Sequence, residues 1–240
     1  MKTIGLIGGI SWLSSMEYYR LLNEEVNKRL GGVHAGKIIL YSVNFAEIKV
    51  LTAEDRWEEI AMIVNDVARK LEQAGADCIL IGANTMHKIA DEIQQNIGIP
   101  IIHIAEATAL QVKKQHLKKV ALLGTKYTMQ LDFYKDKLSA QGITAIIPED
   151  DEEIEFINTA IYEEMGKGIF LPATKQKILD VINSLIKKGA EGIVLGCTEI
   201  PLLIKQEDCS VPVFDTTQIH STAAVNFALS NEAILAHNYI

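Results

Sequence analysis

An α/β protein of two similar domains, each a parallel sheet flanked by helices, is what the sequence predicts. Two observations carry the prediction. Short apolar runs alternate with longer stretches of helical periodicity along the 240 residues, and the second half of the chain repeats the pattern of the first. A hydrophobic content of 48% is enough to fill such cores, in one large domain or two small ones.

The elements follow in order. Residues 3–7 read as a strand, with Gly8 and Gly9 as its turn. Residues 14–30 carry helical periodicity and stop at Gly31 and Gly32, and residues 37–43 form a second strand. In residues 55–74 the apolar side chains Trp57, Ile60, Val64, Val67 and Leu71 recur in steps of three and four, an amphipathic helix that Gly75 ends. Residues 78–81 and 99–102 are further strands. Residues 120–123 form a strand that runs into Gly124 and Thr125, and strands at 143–147, 193–195 and 211–214 follow with helices between them. Such alternation belongs to parallel sheets covered by helices, whose ligands bind at the carboxyl ends of the strands.

The repeat is visible in the letters. AGADCILIGANT (74–85) matches KGAEGIVLGCTE (188–199) at a shift of 114, which carries Gly82 onto Gly196 and Ala83 onto Cys197. IGLIGG (4–9) resembles VALLGT (120–125) at a shift of 116, and IPII (99–102) resembles VPVF (211–214) at a shift of 112. The expected domains are residues 1–102 with 216–240, and residues 103–215. A pseudo-twofold relation between them is expected to set the ends of the strands at 79–82 and 193–196 on opposite walls of one cleft, the expected active site.

Composition narrows the function. A net charge of −8 argues against nucleic acid as the main partner, without excluding a small anionic substrate. Three cysteines without framework spacing do not form a disulfide scaffold. The opening MKTIGLIGGISW reads as a first strand and turn, not a signal peptide, and no segment reaches the roughly 18 apolar residues that span a bilayer. A soluble, reducing, cytoplasmic setting without membrane contact is expected. Six scattered histidines, with no pair at i, i+4 and no Cys-x-x-Cys, predict no metal site. The Gly8 and Gly9 turn lacks the third glycine of a dinucleotide fingerprint, and no lysine lies in a pyridoxal phosphate motif, so no cofactor is expected.

The two strand-to-helix corners are the candidate site. Asn84 with Thr85, and Thr198 with Glu199, offer side-chain polar groups beside unpaired backbone N–H groups, which favour a carboxylate. A thiol at a helix N-terminus has its pKa lowered, which makes Cys197 a credible base at neutral pH; a buried, inert thiol is the competing reading. Cys78, in mid-strand, reads as core, and Cys209, beside Asp208 and Ser210, as a surface loop residue. His87 either lines the site or packs its helix. Thr125 and Lys126 face the site by the logic of the repeat.

These segments resemble the aspartate/glutamate racemases, the amino-acid racemases that work without pyridoxal phosphate. MKTIGLIGGISW resembles the opening of that family, ANTMH its first active-site segment, VALLGT its mid-chain strand and GCTE its second active-site segment. The resemblance is nearest to aspartate/glutamate-specific or broad-specificity members. It implies two residues on opposite faces of the substrate α-carbon, one removing a proton and the other delivering one, with Cys197 facing the α-hydrogen of the L-enantiomer. It further implies substrate contacts at Ile10, Thr52 and Met86, with Asn84, Thr85, Thr198 and Glu199 holding the amino acid or its catalytic thiol, and a homodimer, with residues 14–30 or a helix near 221–230 as possible contacts.

The chain departs from the pattern at Ala83, where the family carries cysteine or threonine. Alanine transfers no proton, so either this is an inactivated variant of a parent with cysteine or threonine, or a natural one-cysteine protein such as a malonate-type decarboxylase. A non-catalytic amino-acid binder is the remaining alternative. Some aspartate racemases also carry arginine in the place of Ile48 and lysine in the place of Gly166. Lys49, Arg56 and Lys167 lie nearby, and Lys167 is the candidate for the side-chain carboxylate, against its reading as a solvated lysine.

Overall fold

The computed structural model describes residues 1–230. Residues 231–240, which the expected first domain includes, lie outside the described residues. The chain divides into two compact units, Met1–His103 with the chain from His220 onward, and Ile104–Ile219.

The first unit runs β1 (Ile4–Gly8), α1 (Trp12–Leu30), β2 (Ile38–Ser42), α2 (Phe45–Ala53), α3 (Trp57–Gln73), β3 (Cys78–Ile81), a 3-10 turn (Thr85–Ile89) and α4 (Ala90–Gln94). The second runs α5 (Ile104–Lys114), β4 (Lys119–Gly124), α6 (Lys126–Gln130), α7 (Asp132–Ser139), β5 (Thr144–Ile146), α8 (Asp151–Thr159), a π-helical turn (Ala160–Glu164) and a 3-10 turn (Met165–Lys167). It continues through α9 (Pro172–Lys187), β6 (Gly192–Gly196), α10 (Ile200–Leu203), a 3-10 turn (Gln206–Asp208) and β7 (Val213–Asp215) into α11 (Thr216–Leu229).

Both sheets are parallel: β2-β1-β3 in the first unit, β5-β4-β6-β7 in the second. Their central strands are apolar on both faces, because helices cover both. One face of the first sheet, Ile4, Leu6, Cys78 and Leu80, packs on Tyr18, Leu22 and Val26 of α1 and on Ala224 and Val225 of α11. In the second unit Ala121, Leu123, Ile193 and Leu195 pack with α8 and α9, while Val120, Leu122 and Val194 pack with α5 and α7. The expected strand at 99–102 is reduced to one bridge, Ile79 to Ile101. The Pro100 carbonyl accepts from Ile79 N at 2.9 Å, as that of Pro212 accepts from Ile193 N at 2.8 Å before β7.

The sequence echoes superpose in the sheet registers. Ile4 pairs with Cys78 and Val120 with Gly192, so the shifts of 116 and 114 connect equivalent pairs. Ile79 pairs with Ile101 and Ile193 with Val213, which fits the shift of 112. Side chains repeat as well. Asp77 accepts from Thr3 N at 2.6 Å, and Glu191 accepts from Lys119 N at 3.0 Å. The Gln94 carbonyl accepts from Ile101 N at 2.7 Å, and that of Gln206 from Val213 N at 2.9 Å. Gly75 and Gly189 take φ of +94° and +95° at matching helix ends, a conformation open to glycine at little cost.

A buried histidine ties the returning C-terminal segment to the first unit. His220 Nε2 lies 2.5 Å from the Ile102 carbonyl, which only accepts, so Nε2 carries the hydrogen. Nδ1 therefore accepts from the Tyr18 hydroxyl at 2.7 Å. Burial, then the electrostatic influence of His87, lower the His220 pKa from 6.5 to about 3, against the opposing effect of the Ile102 carbonyl. Unfolded, this histidine binds a proton below about 6.5; folded, it does so only near 3. Stability therefore falls as pH drops through that window, by an amount on the order of a few kcal/mol. Urea unfolding across the window is expected to show that slope, and His220→Gln to flatten it.

Candidate active site

The first corner lies beyond β3. Gly82 follows the strand and donates to the Ile7 carbonyl at 2.8 Å, an approach that a Cβ, 3.0 Å from the same oxygen, would crowd. The chain then leaves the sheet through Ala83, Asn84, Thr85 and Met86, all buried. Where the sequence suggested a helix, the corner opens into a 3-10 turn. His87 is 2% exposed and its Nδ1–H donates to the Ala83 carbonyl at 2.9 Å. Its ring meets His103 edge-on at 4.7 Å and His220 at 5.5 Å, so His87 packs beneath the turn.

The second corner lies beyond β6. Gly196 allows the same close approach, its missing Cβ 3.0 Å from the Leu123 carbonyl oxygen. Cys197 follows, 6% exposed, with Thr198 and Glu199 equally buried. The Cys197 thiol donates to Glu199 Oε2 at 3.0 Å, and the Thr198 hydroxyl donates to the same oxygen at 2.7 Å. Backbone N–H groups of Glu199 and Ile200 point at the sulfur.

The acidity of Cys197 corrects the expectation of a lowered pKa. Burial raises it well above its usual value, the Glu199 carboxylate adds to the rise, and the two N–H groups oppose it without prevailing. The helix meant to supply the dipole is α10, only four residues long, so the field at its start is weak. Cys197 rests as a thiol. Cys78 is core, its thiol pushed up to about 12 by burial. Cys209, expected in a surface loop, is half-buried and packs against the core of the second unit.

Ile10 follows the Gly8 and Gly9 turn and is buried, while Gly9 N donates to Ser15 Oγ at 2.7 Å. Thr52 is buried on α2, its hydroxyl donating to the Ile48 carbonyl at 2.7 Å. Thr125 caps α6, accepting from Thr128 N at 3.3 Å, and Lys126 N donates to Asn158 Oδ1 at 3.1 Å. Lys167 is exposed and pairs with Glu163 at 2.6 Å, and Arg56 is exposed between Glu54 and Glu59. The structure therefore holds both cations in surface ion pairs. Among the described residues no group of three or more His, Cys, Asp and Glu is arranged to hold a metal ion.

Sequence reasoning missed Tyr162. It lies in the π-helical turn, and burial together with Cys197, Tyr127 and Glu199 raises its phenol pKa. Gly166, in the 3-10 turn that follows, packs against the π-turn, since a Cβ there would sit 2.8 Å from the Ile161 carbonyl oxygen. A π-turn has no periodicity that marks it in a sequence, although such turns often accompany functional sites.

A raised thiol pKa means that Cys197 reacts slowly near neutrality and faster as pH rises. Iodoacetamide labelling, followed by peptide mass, is expected to give a rate at Cys197 that climbs through the alkaline range.

A candidate Asp/Glu racemase from Yersinia pestis is 48% identical and superposes with a TM-score of 0.89 over 95% of this chain and 100% of its own. An aspartate racemase homologue from Pyrococcus horikoshii is 37% identical, with a TM-score of 0.81 over 95% of this chain and 99% of its own. The broad specificity amino-acid racemase RacX of Bacillus subtilis is 26% identical over 176 residues, 73% of this chain and 75% of that protein. These relatives belong to a class of isomerases. The family described as Asp/Glu/Hydantoin racemase matches residues 7–224, and the chain belongs to that family.

Proposed function

We propose that this chain acts without a cofactor at the α-carbon of acidic amino acids, aspartate and glutamate, with Cys197 as its acid/base and residue 83 as the place of the missing counterpart. The register of the two sheets carries this reading, because it makes Ala83 the equivalent of Cys197. Asn84, Thr85, Met86 and Thr198 would hold the substrate through main-chain and side-chain donors, with Ile10, Thr52, Thr125 and Lys126 completing the contacts. Such donors stabilise the negative charge that develops when the α-proton leaves. Arg56 and Lys167 are engaged by glutamates, which supports tolerance of the substrate side chain over strict selection of one acid. A reducing, cytoplasmic setting fits three cysteines that are all unpaired.

One cysteine serves one face of the α-carbon. Proton NMR in heavy water is expected to show loss of the α-proton signal from L-aspartate or L-glutamate without inversion, and none from the D-forms. Ala83→Cys is expected to restore inversion by roughly 100-fold or more, the usual contribution of a positioned acid/base. Binding without exchange, unrelieved by Ala83→Cys, would remove the racemase reading.

A second reading draws on the protonated resting state of Cys197. In a one-cysteine decarboxylase the C–C bond of a disubstituted malonate breaks, carbon dioxide leaves, and the α-carbon takes the thiol proton. Release of carbon dioxide from such an acid, with no exchange of aspartate, would select it.

A second copy of the chain is the proposed partner. Trp12, Met16 and Tyr19 line one side of α1, 63%, 58% and 58% exposed, and with Leu40 of the edge strand β2 they border a groove of about 490 Å³. Large exposed apolar patches of this kind mark interaction surfaces. Light scattering is expected to give the mass of a dimer, and Trp12→Glu with Tyr19→Glu that of a monomer; a doubly substituted protein of unchanged mass would remove this face from consideration.

A further inference from the structure

The geometry points to His87 as the positioning residue of the first corner, the side chain that turns the backbone N–H groups of Asn84 and Thr85 toward a substrate carboxylate. This rests on the reading of that corner as part of the amino-acid site. His87 is 2% exposed and offers two donors, each to a different carbonyl. Its backbone N–H donates to the Asn84 carbonyl at 3.0 Å, and its ring Nδ1 lies 2.9 Å from the Ala83 carbonyl. A carbonyl only accepts, so Nδ1 carries a hydrogen.

The two bonds fix two successive peptide planes. In an α-helix the N–H of residue 87 would bond to the carbonyl of residue 83. The tighter 3-10 turn moves that bond to residue 84 and leaves the Ala83 carbonyl to the ring. Both peptides are trans and planar, so each N–H points opposite to its carbonyl. With both carbonyls drawn toward His87, the N–H groups of Asn84 and Thr85 are turned back toward the end of β3, where ligands of parallel sheets bind. Successive N–H groups that point one way form a concavity suited to an anion. An amino acid brings one as its carboxylate.

The ring has little room to swing away. It meets His103 edge-on at 4.7 Å and His220 at 5.5 Å, and both are buried. His220 is itself held at both nitrogens, by the Tyr18 hydroxyl at 2.7 Å and the Ile102 carbonyl at 2.5 Å. A close-packed interior leaves a ring so enclosed little space for a second rotamer. Tyr18 of α1 and His220 of α11 thereby support the corner through His87. The second corner is built otherwise. The shift of 114 carries His87 onto Pro201, which has neither a backbone N–H nor a side-chain donor.

Two measurements test the proposal. NMR of nitrogen-labelled, unmodified protein reads which ring nitrogen of His87 carries hydrogen, the signal being identified by its loss in His87→Asn. Hydrogen on Nδ1 is expected, and a bare Nδ1 would overturn the assignment. Calorimetry gives the dissociation constants of L-aspartate and L-glutamate for the unmodified protein, His87→Asn and His87→Leu. Asparagine places an amide N–H where Nδ1 stood, whereas leucine fills the space without a donor. His87→Leu is expected to weaken binding about tenfold or more, as loss of a bond to a charged group does, and His87→Asn to stay within about threefold of the unmodified protein. Equal weakening in folded His87→Asn and His87→Leu would make His87 a packing residue and overturn the assignment. An unchanged constant in His87→Leu would overturn it as well. If Nδ1 carries the hydrogen while the unmodified protein binds neither acid, the two peptides are held as assigned and the proposed substrate fails.

Discussion

Both corners depend on how closely two parallel strands approach at their carboxyl ends. Side chains at Gly82 and Gly196 would place a Cβ 3.0 Å from the carbonyl oxygens of Ile7 and Leu123, and one at Gly124 would lie 2.6 Å from the Gly196 oxygen. Glycine removes that collision, so the ladder continues to its last residue and the chain turns out of the sheet at the next one. The residue after the glycine is thereby fixed by backbone hydrogen bonds, not by its own side chain. Alanine at 83 and cysteine at 197 occupy such positions in the same way, and the chemistry of a corner can differ without disturbing its geometry.

The two corners differ by more than one atom. Against Cys197, Thr198 and Glu199 stand Ala83, Asn84 and Thr85. The first corner lacks both the thiol and the carboxylate that accepts its hydrogen bond. What it keeps is a polar turn pinned from below by His87. A cysteine placed at 83 would have the neutral Thr85 where Cys197 has Glu199. The two corners share a strand register and differ in the turns that follow and in charge.

Most of this was legible in the letters, because strand, glycine and corner recur at fixed shifts and the registers obey those shifts. The strand expected at 99–102 is one bridge, although its counterpart after Pro212 runs on as β7 and Pro100 and Pro212 accept equivalent bonds from Ile79 and Ile193. The state of Cys197 was misread for two reasons. Helical spacing sets residues two apart on different faces, but residues 197 and 199 lie in a turn, where the carboxylate folds back onto the sulfur. A dipole argument also presumes a helix of several turns, and α10 has only four residues. Tyr162 was invisible because a π-turn shifts the direction of a side chain without leaving a pattern.

The division of the chain has a consequence for its synthesis. Residues 104–219 form one unit without interruption, whereas the first unit takes back the chain from His220 onward. The sheet face of Ile4, Leu6, Cys78 and Leu80 is covered partly by α11, which leaves the ribosome long after β3. At roughly 5–20 residues per second, that face waits on the order of ten seconds for Ala224 and Val225. Tyr18 waits equally long for the ring nitrogen that completes its hydrogen bond. The unit that begins first is finished last, and its exposed strands are the part of the nascent chain most in need of protection from aggregation.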